Sequence, residues 1–429
     1  MAKQSLRSIR GFNDLLPEES QKWQFIEKEA RSLFDIYGFS EIRLPIVEKT
    51  ELFTRSIGEC TDIVEKEMYT FSDRKGESLT LRPEGTASVV RAYIQHGFYN
   101  QDPIAKLYYM GPMFRYERPQ KGRTRQFYQI GAEVFGVADP SLDAEVLDML
   151  MLLFKRLEIE ELDLQINSLG CDKCRPGYKE ALSSYLKGNL SILCNDCQRR
   201  FTTNPLRVLD CKREECNEIV TNAPVIEAFL CSPCAEHFEG VKGSLKLLQV
   251  PFKVNPRMVR GLDYYTNTAF EILSGGLGAQ NAVVAGGRYD RLVKDLGGPD
   301  VAGFGFAFGM ERVALLLSKK ELELTTNSPF LFLVSIGEDA YRECYKLLKE
   351  LRDADIHAEM GYGGKSLKSH MRRADKLKVE YVMILGEEEL ARKEVTLKNM
   401  KKSTQERIKL DEALKMIKEK GRGLRVVGS

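Results

Sequence analysis

The chain has 429 residues, a formal net charge of +2 and an apolar content of 43%. Its length allows two or three domains with a large core. No apolar run approaches the roughly 20 residues of a membrane span, and the N-terminus lacks the apolar region of a secretory signal, so we expect a soluble cytoplasmic protein without a membrane partner. Only four histidines are present, which disfavours catalysis by a histidine general base.

The first part of the chain predicts a helix followed by strands. Apolar residues recur at three- and four-residue steps over 17–37, and Pro17 suits a first helical turn. "ESLTLRPEGTASVVRAYIQHG" (77–97) predicts a strand, a loop and a helix. "KLYYMGPMFRYE" and "RQFYQIGAEVFG" predict an antiparallel strand pair joined by the polar loop "RPQKGRT", and a helix over 141–157 follows.

Arginine is concentrated in this predicted hairpin. Residues 113–133 hold four arginines and a lysine, interleaved with aromatic and apolar residues. Guanidinium groups are permanently charged and grip phosphate or carboxylate oxygens in pairs. A half-buried hairpin with this many guanidinium groups indicates a strongly negative ligand.

Strand signals resume at 251–273, and two glycine-dense segments follow, "AGGRYDRLV" (285–293) and "AGFGFAFGMERVALLL" (302–317). The second predicts a glycine-rich strand that runs into a helix, where small side chains let another backbone or a flat ligand approach closely. Residues 318–329 are polar and typical of a linker.

Strands and helices alternate beyond this linker, which predicts a small α/β domain with a largely parallel sheet. Residues 361–429 contain 18 Lys and Arg against 10 Asp and Glu, a local net charge of +8. A basic terminal region on a nearly neutral chain suits contact with a polyanion.

Eight of the ten cysteines lie between residues 171 and 234, in pairs separated by two or four residues. They are Cys171, Cys174, Cys194, Cys197, Cys211, Cys216, Cys231 and Cys234. In a cytoplasmic protein this spacing favours structural zinc over disulfides, with two four-thiolate sites or one site and spare cysteines. His237 is a further candidate ligand, whereas Cys60 and Cys344 stand alone and suit core positions.

Five segments, in this order, resemble the motifs of a known family. "GFSEIRLPIV", "MFRYERPQKGRTRQFYQIGAEVFG" and "GFGFAFGMERV" are similar to the three signature motifs of class II aminoacyl-tRNA synthetases. "RGLDYYTNTAFEI" and "AGGRYDRLV" resemble two segments peculiar to histidyl-tRNA synthetases of the bacterial type. The resemblance covers nearly the whole chain, but it does not imply the cysteines.

The resemblance implies that histidine and ATP with Mg²⁺ form an adenylate. Both reactants are anions, so catalysis is mostly positioning and charge neutralisation. By resemblance, Arg260 is the main catalytic residue, near the α-phosphate, and Arg115 holds that phosphate. Arg123 and Arg125 would face the ATP phosphates and base, and Arg312 would meet the γ-phosphate.

The resemblance also implies a histidine pocket and a contact with tRNA. The amino end would meet Glu84, Thr86 and Gln129, and the imidazole end Glu133, Tyr265 and the adjacent Tyr264. In the loop "RPQKGRT", Gln120 and Lys121 would contact the acceptor end of tRNA(His), and the basic terminal domain would bind the anticodon region. The segment around Pro45 resembles a dimer-forming motif, so we expect a homodimer.

The expected architecture is an α+β catalytic domain on a mostly antiparallel sheet with a cysteine-rich insertion, plus a small α/β C-terminal domain. The catalytic domain would span 1–170 and 241–325, the insertion 171–240 and the anticodon-binding domain 329–429. Two alternatives are a non-catalytic regulatory subunit of ATP phosphoribosyltransferase and a class II synthetase of another specificity. The C-terminal domain and an intact "RGLDYY" disfavour the first, and the paired segments near Arg260 and Arg288 disfavour the second.

Overall fold

The structure is a computed structural model that describes residues 6–58, 61–211, 213–277, 281–317, 328–363 and 365–423. The chain divides into two compact units, Met1–Leu324 and Thr325–Ser429. The predicted linker lies almost entirely outside the described residues, and so does Cys60. Cys344 is fully buried, as expected of a core position. Within the described residues, no helix is long and apolar enough to cross a membrane.

Two sheets form the frame of the first unit. Its described strands are β1 (Ser40–Glu41), β2 (Val47–Lys49), β3 (Tyr69–Ser72), β4 (Ser78–Leu81), β5 (Ala105–Phe114), β6 (Gln126–Phe135), β7 (Leu162–Ser168), β8 (Lys253–Val254), β9 (Thr266–Ser274), β10 (Ala282–Arg288) and β11 (Gly303–Gly309). The large sheet has the order β1-β5-β6-β11-β10-β9-β7-β8, and β2-β4-β3 form a small one. The large sheet is mixed, because β1 and β8 pair in parallel with their neighbours while the other pairings are antiparallel.

Helices cover the large sheet and form the segment between β7 and β8. They are α1 (Pro17–Ile36), α2 (Thr50–Ile57), α3 (Thr86–Gln95), α4 (Pro140–Arg156), α5 (Arg175–Lys187), α6 (Asn195–Thr203), α7 (Glu214–Thr221), α8 (Ser232–Leu247), α9 (Leu292–Asp295) and α10 (Met310–Leu316). The predicted helices over 17–37 and 141–157 are confirmed as α1 and α4.

The main core lies between the large sheet and the helices α1, α4 and α8. In α1, Trp23, Ile26, Ala30 and Leu33 are buried along one face, as their three- and four-residue spacing predicts. Burial of each large apolar side chain stabilises the fold by about 1.5–3 kcal/mol. This apolar packing therefore holds one face of the large sheet against the helices.

The predicted arginine hairpin is confirmed. Strands β5 and β6 pair antiparallel over their full length, from Ala105 opposite Phe135 to Phe114 opposite Gln126. The predicted strand run 251–273 is only partly confirmed, because residues 255–265 form a loop between β8 and β9. Pro256 and Gly261 in this stretch are poor strand residues, which explains the interruption.

The cysteine-rich segment folds into the helices α5, α6 and α7 and the start of α8, with a 3₁₀ turn at Pro205–Asp210. It has a small apolar core of its own, which includes Tyr178, Leu182 and Val208. The segment leaves the large sheet after β7 and returns through α8 to β8. It is thus attached to the sheet at both of its ends.

The second unit is a five-stranded sheet with helices. Its strands are β12 (Leu331–Ile336), β13 (Ala358–Met360), β14 (Tyr381–Gly386), β15 (Glu394–Asn399) and β16 (Thr404–Lys409), in the order β13-β12-β14-β15-β16. The helices are α11 (Glu338–Asp353), α12 (Leu367–Lys376), α13 (Glu387–Arg392) and α14 (Leu410–Gly423). The expectation of a largely parallel sheet is wrong in one half, because β14, β15 and β16 pair antiparallel. Strand β16 is an almost entirely exposed edge strand, so its sequence carries no apolar pattern.

Candidate active site

A cavity of about 430 Å³ opens in the first unit, between the arginine hairpin, the loop 82–86, the loop 255–265 and the junction of β11 with α10. Most of the residues implied by the resemblance line it. They are Glu84, Thr86, Arg115, Arg123, Gln129, Arg260, Tyr264, Tyr265 and Arg312. These residues are up to 228 positions apart in the chain, and the fold brings them to one cavity.

Three arginines converge on one side of the cavity. Nε of Arg115 donates to the carbonyl oxygen of Pro83 at 2.8 Å, and its guanidinium stacks on Phe127. Arg123 pairs with Glu117 at 3.3 Å. Burial and then the nearby charge of Arg123 lower the pKa of Arg312. Three guanidinium groups on one side make this part of the cavity wall positively charged and suitable for phosphate groups.

Arg260 lies at the wall of the cavity, on the loop between β8 and β9. Its Nη1 lies 2.5 Å from Oε1 of Glu271 on β9, and its guanidinium lies over the ring of Tyr265. Burial lowers the pKa of Arg260, but the charges of Tyr265 and Glu271 outweigh that effect and the net pKa is raised. Arg260 is therefore a fixed positive charge at any physiological pH.

Glu84 is buried at the start of α3. Its carboxylate accepts hydrogen bonds from the backbone N–H groups of Thr86 at 2.6 Å and Ala87 at 2.9 Å. Burial raises the pKa of Glu84, although these two hydrogen bonds act in the opposite direction. The carboxylate caps the helix and at the same time contributes to the cavity wall.

Glu133 is fully buried behind the cavity wall, on β6. It accepts a hydrogen bond from Oγ1 of Thr86 at 2.7 Å and another from the hydroxyl of Tyr289. Burial raises the pKa of Glu133 to about 8, against the effect of these two donors. Glu133 on β6 is thus hydrogen-bonded to Thr86 on α3 and to Tyr289, which lies between β10 and α9.

The glycine-rich strand β11 makes room for this network. Gly305 lies opposite Glu133 in the sheet, and a Cβ there would collide with the Glu133 carboxylate and the carbonyl oxygen of Ala132. A Cβ at Gly303 would collide with the ring of Tyr289. Other groups do approach this strand closely, as its small residues predict. They are the buried carboxylate of Glu133 and the ring of Tyr289 rather than a flat ligand.

Four predicted residues are not brought to the cavity wall: Glu133, which is buried behind it, and Arg125, Gln120 and Lys121. Arg125 does not line the cavity, because its guanidinium stacks on Tyr116 at 3.8 Å and its Nε donates to the carbonyl oxygen of Glu117. Gln120 and Lys121 lie at the exposed tip of the hairpin. Neither of them lines the cavity.

Sequence reasoning missed Glu271, Tyr289 and Tyr109. Glu271 and Tyr289 lie inside the segments "RGLDYYTNTAFEI" and "AGGRYDRLV", so the resemblance of these segments to the family could have pointed to them. Tyr109 lines the cavity from the neighbouring strand β5 and resembles any core aromatic in the sequence. Only the tertiary structure shows that Tyr109 lines the cavity.

Several buried polar atoms of the cavity wall have no hydrogen-bond partner within the described residues: Oε1 of Gln129, Nε of Arg260 and the hydroxyl of Tyr109. Unsatisfied buried groups are costly and are expected where a ligand completes them. An amide oxygen needs a donor such as an ammonium group, and a guanidinium nitrogen needs an anion. The cavity wall therefore offers an acceptor for a cationic ligand group and a donor for an anionic one.

The cysteines of the helical segment form two groups whose sulfur atoms all lie within 4.8 Å of one another. One group is Cys171, Cys174, Cys231 and Cys234, and the other is Cys194, Cys197, Cys211 and Cys216. His237, the further candidate ligand, belongs to neither group, and its Nε2 lies 3.8 Å from Asp143 instead. Among the described residues, no cysteine lines the active-site cavity.

Comparisons with known proteins agree with this geometry. The histidyl-tRNA synthetase family model matches residues 11–171 and 223–313, and the anticodon binding domain model matches residues 331–420. Histidine–tRNA ligase of Syntrophotalea carbinolica is 55% identical, and the match covers 98% of this chain and 100% of the relative. Histidine–tRNA ligase of Trichlorobacter lovleyi is 58% identical, and the match covers 95% of this chain and 97% of the relative. The crystal structure of apo histidyl-tRNA synthetase from S. aureus superposes with a TM-score of 0.81 at 38% identity, covering 96% of this chain and all of the other.

The mixed sheet and the arginine-lined cavity define a class II aminoacyl-tRNA ligase. The two relatives that are 55% and 58% identical over nearly the full length are both histidine–tRNA ligases. The chain belongs to the histidyl-tRNA synthetase family.

Proposed function

We propose that this chain joins L-histidine to tRNA(His) in two steps within the cavity described above. In the first step, a carboxylate oxygen of histidine attacks the α-phosphorus of ATP, and the bond to the β,γ-diphosphate breaks. The products are histidyl-adenylate and pyrophosphate. In the second step, a hydroxyl group at the 3′ end of the tRNA attacks the histidyl carbonyl carbon and AMP leaves.

One observation carries the proposal: Arg260, Arg115 and Glu84 line the same cavity, although they come from three separate parts of the chain. Two guanidinium groups can neutralise the approaching carboxylate and the α-phosphate, and no proton has to be transferred in the first step. ATP enters with Mg²⁺ as part of the substrate. Arg123 and Arg312 extend the positive wall toward the outer phosphates, as their mutual proximity suggests.

The amino-acid end of the cavity supports histidine as the substrate. We assign Gln129, Glu84 and Thr86 to the ammonium group, since the Gln129 oxygen has no partner within the described residues. We assign Tyr264 and Tyr265, which line the cavity, and Glu133, which lies behind its wall, to the imidazole end, because phenol and carboxyl groups can match the donor and acceptor nitrogens of the ring. A site of this kind rejects similar amino acids, since a wrong side chain leaves polar groups unpaired.

The hairpin tip and the second unit would bind the tRNA. Gln120 and Lys121 are exposed where an acceptor stem can reach them, and residues 361–429 carry the local charge of +8. Because phosphate contacts release counterions, binding of tRNA(His) should weaken steeply as salt is raised. We expect the protein to act in the cytoplasm, where such a tRNA substrate is used.

We further propose a homodimer and four segments with distinct roles. Ile46 and Val47, beside Pro45, are exposed apolar residues, which supports an interface there. The catalytic domain spans 1–170 and 241–325, the insertion 171–240 and the anticodon-binding domain 329–429. The interruption of the family match between residues 171 and 223 supports the insertion, and light scattering of the purified protein tests the dimer.

Exchange of pyrophosphate into ATP, measured with each amino acid in turn, tests the proposed activity. We expect exchange with histidine alone. Exchange with a different amino acid would indicate another synthetase specificity. Absence of exchange with all amino acids would indicate a regulatory subunit and would refute the proposal.

A further inference from the structure

The two cysteine groups have the geometry of tetrahedral metal sites. The Sγ–Sγ distances are 3.7 Å for Cys171–Cys174, 3.8 Å for Cys171–Cys231 and 3.5 Å for Cys231–Cys234. In the second group, Cys194 and Cys211 are 3.9 Å apart. Four sulfurs at about 2.3 Å from a zinc ion lie about 3.8 Å from one another, whereas disulfide sulfurs lie about 2.05 Å apart. The thiols are therefore spaced for zinc and not for disulfides.

Backbone N–H groups point at a sulfur atom in each cysteine group. The backbone N–H of Cys231 donates to Sγ of Cys174 at 3.1 Å, and that of Cys194 donates to Sγ of Cys216 at 3.3 Å. Hydrogen bonds of this kind orient and stabilise thiolate ligands around a metal. Cys174, Cys194 and Cys231 are the N-cap residues of α5, α6 and α8, where the helix dipole favours negative charge.

The two groups occupy different places in the segment. The first group joins the beginning of α5 to the beginning of α8, where the chain leaves and re-enters the catalytic fold. The second joins α6 to α7 and encloses the turn that carries Asn204 and Arg207. Each group thus holds a different closed loop.

The loop that the second cysteine group closes contacts the active-site loop 255–265. Nη2 of Arg207 donates to the carbonyl oxygen of Gly261 at 2.5 Å, and Asn204 contacts Asp263 at 3.4 Å. From the other side, Arg257 donates to the carbonyl oxygens of Thr221 and Ala223, both at 2.6 Å. These contacts flank Arg260, and Arg207 itself lines the cavity.

We propose that the segment holds two structural zinc ions, one in each group of four cysteines, and that the second ion positions the loop which carries Arg260, Tyr264 and Tyr265. The zinc of the second site fixes Arg207 against Gly261 and so maintains the shape of the cavity. The metal assignment is independent of the proposed function, whereas the effect on catalysis rests on it.

Metal analysis of the purified full-length protein tests the two sites. We expect two zinc ions per chain in the wild type. The double variants Cys171→Ser/Cys174→Ser and Cys211→Ser/Cys216→Ser should each retain one zinc, and the quadruple variant that combines them should lose both. Cys344→Ala, a change to a buried cysteine of the other unit, should retain two. Absence of zinc, iron in its place, or a quadruple variant that keeps one ion would overturn the assignment.

Hydrogen–deuterium exchange tests the positioning without use of activity. In Cys211→Ser/Cys216→Ser and in Arg207→Ala, which keeps all the cysteines, exchange of residues 257–265 should rise while exchange of α1 stays as in the wild type. The rate of histidine-dependent pyrophosphate exchange into ATP should fall about 10- to 100-fold in both variants, because small displacements of positioned groups are costly. Arg207→Lys should recover part of this rate. Arg199→Ala, an exposed arginine on α6, should change neither measurement. Unchanged protection of 257–265 in Arg207→Ala would refute the positioning role, even if the double-cysteine variant fails to fold.

Discussion

Nη1 of Arg260 lies 2.5 Å from Oε1 of Glu271 at the wall of the active-site cavity. The pair joins the loop 255–265 to the rigid strand β9, so the guanidinium is held in place when substrates arrive. Its Nε has no partner within the described residues, which leaves a hydrogen-bond donor for an anion. An arginine prepared in this way can stabilise charge on a reacting phosphate without reorganisation.

Replacement of this arginine should abolish most of the activation step. We expect Arg260→Ala to reduce histidine-dependent pyrophosphate exchange by about 10²–10³-fold, the usual cost of losing one such donor, with the fold intact by circular dichroism. Arg260→Lys should recover part of the rate because it keeps the charge but not the planar fork. Glu271→Gln should have a smaller effect. Full activity of Arg260→Ala would mean that this guanidinium does not contact the reacting atoms.

The arginines beside the phosphate side of the cavity should control affinity for ATP. Arg312→Ala removes a partly buried charge from the cavity wall, and we expect the KM for ATP to rise about 10- to 100-fold, since a hydrogen bond to a charged group contributes about 1.5–3 kcal/mol. Arg125→Ala is the matched comparison, because Arg125 stacks on Tyr116 outside the cavity lining. It should change the KM much less, and equal effects of the two variants would argue against this arrangement.

Burial of Glu133 predicts a specific dependence of stability on pH. Its pKa is about 8 in the fold against an ordinary value of 4.5, so the folded protein retains a proton that the unfolded chain has lost. This contribution to stability is fully present below pH 4.5 and is lost as the pH rises to about 8. The slope approaches about 1.4 kcal/mol per pH unit, the value for one proton.

Comparison with Glu133→Gln isolates this effect, because glutamine has nearly the same shape and cannot titrate. The unfolding temperature of the wild type, relative to that of the variant, should decrease from pH 5 to pH 8 and then level off. A difference that stays constant over this range would show that Glu133 is ionised throughout.

Gly305 should be the most sensitive glycine of strand β11. A Cβ there would overlap the Glu133 carboxylate and the backbone of Ala132, so Gly305→Ala should destabilise the first unit by about 1–3 kcal/mol. Gly309→Ala, at the end of the same strand, meets nothing within 4 Å and should leave the unfolding temperature nearly unchanged. Equal stability of the two variants would show that the strand can shift to admit a side chain.

The sequence by itself determined the local elements and the chemical character of the site. The helix α1, the arginine hairpin and the glycine-rich strand that leads into α10 follow from short-range periodicity and residue type, which fix backbone conformation locally. The concentration of guanidinium groups in the hairpin is enough to indicate an anionic ligand, because their charge does not depend on the fold. Motif resemblance supplied the residues that line the cavity.

Only the tertiary structure decided which of these residues meet. The partners of Glu133 are Thr86 and Tyr289, which lie 47 and 156 residues away, and Arg125 turns out of the cavity although it is two residues from Arg123. The division of eight cysteines into two groups likewise depends on how α5 and α8 are brought together. Such contacts depend on strand register and packing between distant segments, and local sequence patterns do not encode them.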